Sequence, residues 1–292
     1  MQIKQILFLI SLILSSSCSR SYNEQNKIVF NRNIGGYDHI FIMNYDTGKE
    51  VQITTGNYSS NYCSWSPDGK RIVFRSNRAG GPFEIYTMKA DGTDVLRLTN
   101  NAAGDDTPTW TPDGKRILFS SNISGNYDIY MIDDDGNNPV QLTTDTYDEF
   151  DPSMSPDGKK IAFSRTNGTD YDIIVMNIDG TSSVNITNNA GFDDAFPSWS
   201  SDGSKILYQV INGLYYDIAV INSDGSGKTL LTNSPSEDDT DAVWSPDNDE
   251  IIFARGTALS YNIYKMNADG SNVKQLTTVI SNRYPCFQYR PK

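Results

Sequence analysis

Short runs of β-branched and aromatic residues alternate along the chain with Pro, Asp and Gly, and the alternation returns at a fixed interval. Trp65-Ser66-Pro67-Asp68-Gly69 recurs as Trp110–Gly114, Met154–Gly158, Trp199–Gly203 and Trp244–Asn248, with first residues 45, 44, 45 and 45 positions apart. A degenerate sixth copy, Tyr284-Pro285-Cys286-Phe287, puts Phe287 in the Trp place 43 residues after Trp244. A second run, Ile85-Tyr86-Thr87-Met88 before Asp91-Gly92, also has six versions. Each is followed by a segment ending in Leu-Thr or Ile-Thr, at Thr54, Thr99, Thr143, Thr187, Thr232 and Thr277.

Four β-like runs per repeat predict one blade of a β-propeller, and six repeats predict six blades in an all-β fold. Strand A is the Pro-x-Trp run (Pro108–Trp110) and strand B the Ile-x-Phe run (Ile117–Phe119). Strand C is Asp128–Ile132, and strand D is Val140–Thr143. Asp-Gly between C and D, and Pro-Asp-Gly between A and B, read as tight two-residue turns with positive φ. The first strand, Ile28–Phe30, is a B strand and the last, 284–287, is an A strand. The C-terminal strand is therefore expected to pair with 27–30, a three-plus-one closure that hides two sheet edges. Trp65, Trp110, Met154, Trp199, Trp244 and Phe287 are expected to pack between blades. Phe41, Tyr86, Tyr130 and Tyr264 on strand C are expected to pack likewise.

Outside the repeats, Lys4 precedes a nine-residue span, Ile6–Leu14, in which only Ser11 is polar. It is too short to cross a bilayer as a mature helix and reads as an export signal. Small residues before Cys18 resemble a bacterial lipobox, with Ser15 where that motif usually has Leu. The expected organisation is a signal peptide of lipoprotein type at 1–17, a linker at 18–26 and the propeller at 27–292. Lipidation at Cys18 would give a membrane anchor, with plain secretion as the alternative. The net charge of -12 argues against nucleic acid and favours cations or basic protein surfaces. Cys63 and Cys286 fall on neighbouring inner strands, with offsets that point them to opposite strand faces.

The sequence W-S-P-D-G-K-x-I-x-F, then I-Y-x-M-x-x-D-G, then L-T, resembles the TolB-like propeller repeat family over nearly all of 27–290. Similar repeats occur in the propellers of prolyl-oligopeptidase-type enzymes and in many envelope proteins. The resemblance implies an extracytoplasmic propeller with a protein partner. TolB itself carries an additional N-terminal α/β domain, for which the stretch between Cys18 and Ile28 is too short.

In an up-and-down blade the B–C and D–A loops share one face, and here they are the longer and more varied ones. Four consecutive D–A loops carry acids: Asp105 and Asp106; Asp148, Glu149 and Asp151; Asp193 and Asp194; and Glu237, Asp238, Asp239 and Asp241. The remaining two have none, and one of these carries Arg283. Three readings stand for this acidic arc. The acids are solvated or serve turns and caps, or they attract a basic partner or cationic ligand, or they coordinate Ca²⁺. B–C loop aromatics, including Tyr127, Tyr171, Tyr215, Tyr216 and Tyr261, either cover blade ends or clasp a sugar or peptide.

No catalytic constellation emerges. His39, the single histidine, occupies a repeat position held elsewhere by Glu84, Asp128, Asp172, Asp217 and Asn262, and no Gly-x-Ser-x-Gly elbow accompanies it. The reading is a monomeric, non-enzymatic envelope scaffold that binds a protein with a basic surface and needs no cofactor. The alternatives are a glycan- or Ca²⁺-binding module and, third, an enzyme that processes polysaccharides or peptides.

Overall fold

The computed structural model describes residues 26–288, apart from 189, 190 and 259. The signal segment 1–17, Cys18 and nearly all of the linker lie outside the described residues. Among those described, every regular element is a β-strand, and 24 of them form six four-stranded sheets, the blades. The innermost strands are Ser60–Trp65, Asp105–Trp110, Glu149–Met154, Asp194–Trp199, Asp238–Trp244 and Asn282–Phe287.

The blade that opens the chain is finished by its end. Asn282–Phe287 pairs antiparallel with Lys27–Ile34, with Phe287 opposite Ile28 and Cys286 opposite Val29. Gln288 continues the join: its backbone N–H donates to the Lys27 carbonyl at 2.8 Å, and its side-chain amide donates to the Gly69 carbonyl of the next blade at 2.9 Å. The pairing covers the side of Lys27–Ile34 that would otherwise be open, so each blade keeps as edges only its innermost strand and its short outermost one.

The core lies between blades. Trp199 packs with Ile206 and Tyr208 of its own blade and with Ala162, Ile173 and Val175 of the preceding one. Trp65, Trp110, Met154 and Trp244 repeat this arrangement, all buried. The strand C aromatics lie beside their strand B partners, as in Phe30–Phe41 and Phe74–Tyr86, with ring centroids 5.8 Å apart.

The polar residues of the repeat are equally structural. The threonine ending each repeat accepts a hydrogen bond from the backbone of strand C, as in Ile129 N–H to Thr143 Oγ1 at 2.9 Å, and all six copies do so. The preceding Leu142 N–H still donates to the Ile129 carbonyl at 2.8 Å, and the regular part of strand D is only Val140–Gln141 in the third blade. The A–B turns also differ from the two-residue form expected. Gly69 N–H bonds back to the Ser66 carbonyl, which makes Ser66–Gly69 a four-residue turn with only the glycine at positive φ. Proline supplies the second position, and the Asp68 carboxylate accepts from the Ser66 hydroxyl and the Lys70 N–H.

Candidate functional site

Each inner strand carries an irregularity at the same place, three residues before the Trp position. The ladder skips between Asn61 and Ser64, Asp106 and Thr109, Phe150 and Ser153, Ala195 and Ser198, Thr240 and Val243, and Arg283 and Cys286. One non-glycine residue per bulge takes positive φ: Tyr62, Thr107, Asp151, Phe196, Asp241 and Tyr284, all between 45° and 57°. A β-bulge re-aims a side chain, and six of them in register aim six side chains at the axis. They form a throat. Tyr62 and Tyr284 stack with centroids 3.8 Å apart and hydrogen-bond through their hydroxyls at 2.7 Å. Phe196, from the blade opposite, faces Tyr62 at 6.3 Å.

From this throat a funnel of about 360 Å³ runs to the A–B turns. The Trp ring and Pro67, Pro112, Pro156 and Pro246 line it, and between them stand Ser64, Thr109, Ser153, Ser198, Val243 and Cys286. Residues one position beyond the throat, such as Asp106, Phe150 and Arg283, do not line it. Cys63 is buried beside Trp65, and Cys286 packs against the same cluster; both are free thiols whose pKa burial pushes up.

Of the eleven acids of the expected arc, Asp151 and Asp241 turn into the throat, and most of the others separate into two sets on the loop face. Asp105, Glu149 and Asp194 begin their inner strands, Asp239 is the second residue of its own, and all four are at most 1% exposed. They are built into the blades: Asp239 takes a bidentate pair from Arg255 at 2.6 and 2.7 Å, and Asp105 accepts from Asn101 at 3.0 Å. Asp148, Asp193 and Asp238 are partly exposed and join blades, accepting the backbone N–H of Tyr127, Tyr171 and Tyr216 at 2.9, 3.1 and 3.1 Å. Asp106 pairs with Arg75, which lies over the rings of Tyr62 and Phe83 at 4.3 Å each. Among the described residues no group of three or more His, Cys, Asp or Glu side chains is placed to hold a metal.

Of the five tyrosines, Tyr127, Tyr171, Tyr216 and Tyr261 hold one repeat position at the start of strand C, as does Phe83. Phe150 bridges Tyr127 and Tyr171, with centroids at 4.5 and 6.4 Å. Tyr261 is buried beneath Arg283 and donates to Asp238 at 2.8 Å. Tyr215 is half-buried in its B–C hairpin. His39 is buried at the start of strand C, and burial lowers its pKa.

The same face carries apolar tips. Ile34, Tyr37, Ile123, Tyr147, Phe192, Leu214, Val279 and Ile280 are all exposed, Leu214 by 91%. All eight belong to or flank B–C or D–A loops. Among the described residues the other exposed large apolar side chains lie on or just before strand D, and the A–B turns have none. The throat and these tips were missed in the sequence. The throat is the column three before Trp, which changes type from blade to blade while the column after it is proline in four of six.

The family model for the TolB beta propeller domain matches in two overlapping stretches, residues 81–237 and 126–289. No curated protein matches the sequence. Among solved structures, TolB from Acinetobacter baumannii is similar with a TM-score of 0.80 at 21% identity, covering 91% of this chain and 67% of that one. A TolB-type structure from Agrobacterium tumefaciens gives 0.74 at 22% identity, covering 88% and 90%. An oligogalacturonate lyase from Vibrio parahaemolyticus gives 0.57 at 15%, covering 86% and 72%. At these identities the likeness is one of fold.

Proposed function

The chain belongs to the TolB β-propeller domain family, and from that premise we propose that it is an exported, non-enzymatic scaffold of the cell envelope that docks a protein partner on its loop face. The observation that carries this reading is the concentration of exposed apolar residues on that face: eight belong to or flank its loops, against Val95 and Val273 in the connections of the other. Exposed apolar side chains rimmed by polar ones are the mark of an interaction surface. Asp145, Asp148, Asp193 and Glu237 lie among these tips, so the matching partner surface is apolar with a basic rim. Lipidation at Cys18 would hold the scaffold at a membrane.

The test is a triple variant, Ile123→Asp, Leu214→Asp and Ile280→Asp. The three sites are exposed, so the melting midpoint should stay within about 3 °C of the parent. A partner that co-purifies from detergent-extracted envelopes should be lost. Retention of that partner by a folded triple variant would refute the loop face as the docking surface.

A further inference from the structure

The proposed docking surface leaves the funnel on the opposite face without a role, and its inner end has an uncommon charge balance. Among the described residues the throat holds two carboxylates, Asp151 and Asp241, and a third, Asp106, lies just beyond it, against the two guanidinium groups of Arg75 and Arg283. Arg75 pairs with Asp106, and Arg283 pairs with Asp241 Oδ2 at 3.2 Å. Asp151 is left with hydroxyl and backbone company only. Its Oδ2 accepts from Ser164 Oγ at 3.0 Å, and its N–H donates to Thr107 Oγ1 at 3.1 Å. Asp241 is 5% exposed, and its Oδ1 is buried without a hydrogen-bond partner. A buried acceptor left unmade costs about 1–3 kcal/mol, which a donor arriving there recovers. Both acids line the funnel, together with Tyr62, Phe196 and Tyr284.

We propose that the inner end of the funnel is a seat for one organic cation, the ammonium group of a lysine side chain, held by Asp151 and Asp241 against the throat aromatics. The class follows from what is present and what is not. Calcium asks for six to eight oxygens, and among the described residues no group of three or more acids is placed to hold a metal. An ammonium on an aliphatic stem needs one or two carboxylate partners and gains from aromatic faces and apolar walls, which the throat and the Trp ring provide.

The chemistry adds a signature. Burial pushes the Asp151 carboxyl up to about 8 against the Ser164 hydrogen bond, with Asp106 and Asp241 raising it further. The other charged or titratable groups around it are Tyr62, Tyr171, Tyr284, Arg75 and Arg283. Near pH 7 the empty seat therefore holds a proton, and a bound cation expels it.

The probe is a capped pentapeptide, Gly-Gly-Lys-Gly-Gly amide, with its norleucine counterpart as control, titrated calorimetrically at pH 7 in two buffers of different ionisation enthalpy. The lysine peptide should bind at least tenfold more tightly than the norleucine peptide and release up to one proton. The Asp151→Asn protein should melt no lower than the parent and lose that preference. Equal binding of the two peptides, binding by neither, or a lysine preference surviving in Asp151→Asn would overturn the seat. So would calcium chloride binding on its own in a manner abolished by Asp151→Asn, which would make the site a metal site. None of these outcomes bears on the loop face, which the triple variant tests separately.

Discussion

Glu149 and Asp151 sit two residues apart on one inner strand and face opposite ways, one into a blade and one into the throat. Burial pushes both carboxyls up to about 8. Near pH 6 both native groups hold protons that the unfolded chain, with ordinary values of 4.5 and 3.8, has released. Their stabilising contribution is full below the unfolded values and is lost as pH rises through about 8. Glu149→Gln and Asp151→Asn should each flatten the fall in melting midpoint between pH 6 and pH 9, and at pH 9 each should melt about 2 °C or more above the parent. Melts that fall equally steeply in all three proteins would contradict this. Acids at loop ends were legible in the sequence, but their division was not. Asp105 and Asp106 differ by one position, yet one is sealed in a blade and the other answers Arg75. That depends on where the inner strand begins, a register that Pro-x-Trp alone does not reveal.

The same contrast holds for elements. Strands B and C were readable because their alternation of β-branched and aromatic residues is regular, and the six threonines marked where each blade ends. The bulge was not readable. An extra residue in a strand breaks the alternation without demanding glycine, and here it is filled by Tyr, Thr, Asp and Phe. The Asp-Gly of the C–D turn was read as a turn signal, and the structure adds a second reason for it. A Cβ on Gly180, at φ +82°, would stand 2.7 Å from the Leu142 carbonyl of the preceding blade. Gly180→Ala should cost about 1–3 kcal/mol in a denaturant melt, more than a conformational preference alone. Packing between blades sets the larger costs. Trp244→Ala should lose about 3–5 kcal/mol, and Phe287→Ala the lower end of that range, because Phe287 is only partly buried.

At the scale of the molecule, the chain ends meet in one sheet, as the count of A and B strands implied. A chain stopped after Ser281 lacks the inner strand of the first blade and should lose its cooperative thermal transition by circular dichroism. A sharp melt in that protein would mean that the ring tolerates an open seam. Six blades around an axis also give the molecule two unlike ends: tight Ser-Pro-Asp-Gly turns around a funnel, and longer loops tipped with apolar residues. Composition hinted at an acidic partner-binding surface, but the acids mostly hold blades together, and the exposed apolar tips mark the face more clearly. The anchor belongs to this scale too. Cys18→Ser should move the protein from the membrane to the soluble fraction of fractionated cells, and an unchanged distribution would exclude lipid attachment.

Docking through the loop face is most directly examined by placing a photo-activated cross-linking residue at Leu214 or Ile280 on that face, and at Asp135 or Asp179 on the turn face, in otherwise native protein in cells. The account predicts one discrete adduct from the first pair and none from the second. Adducts from Asp135 and Asp179, with none from Leu214 and Ile280, would place the partner at the opposite end of the propeller.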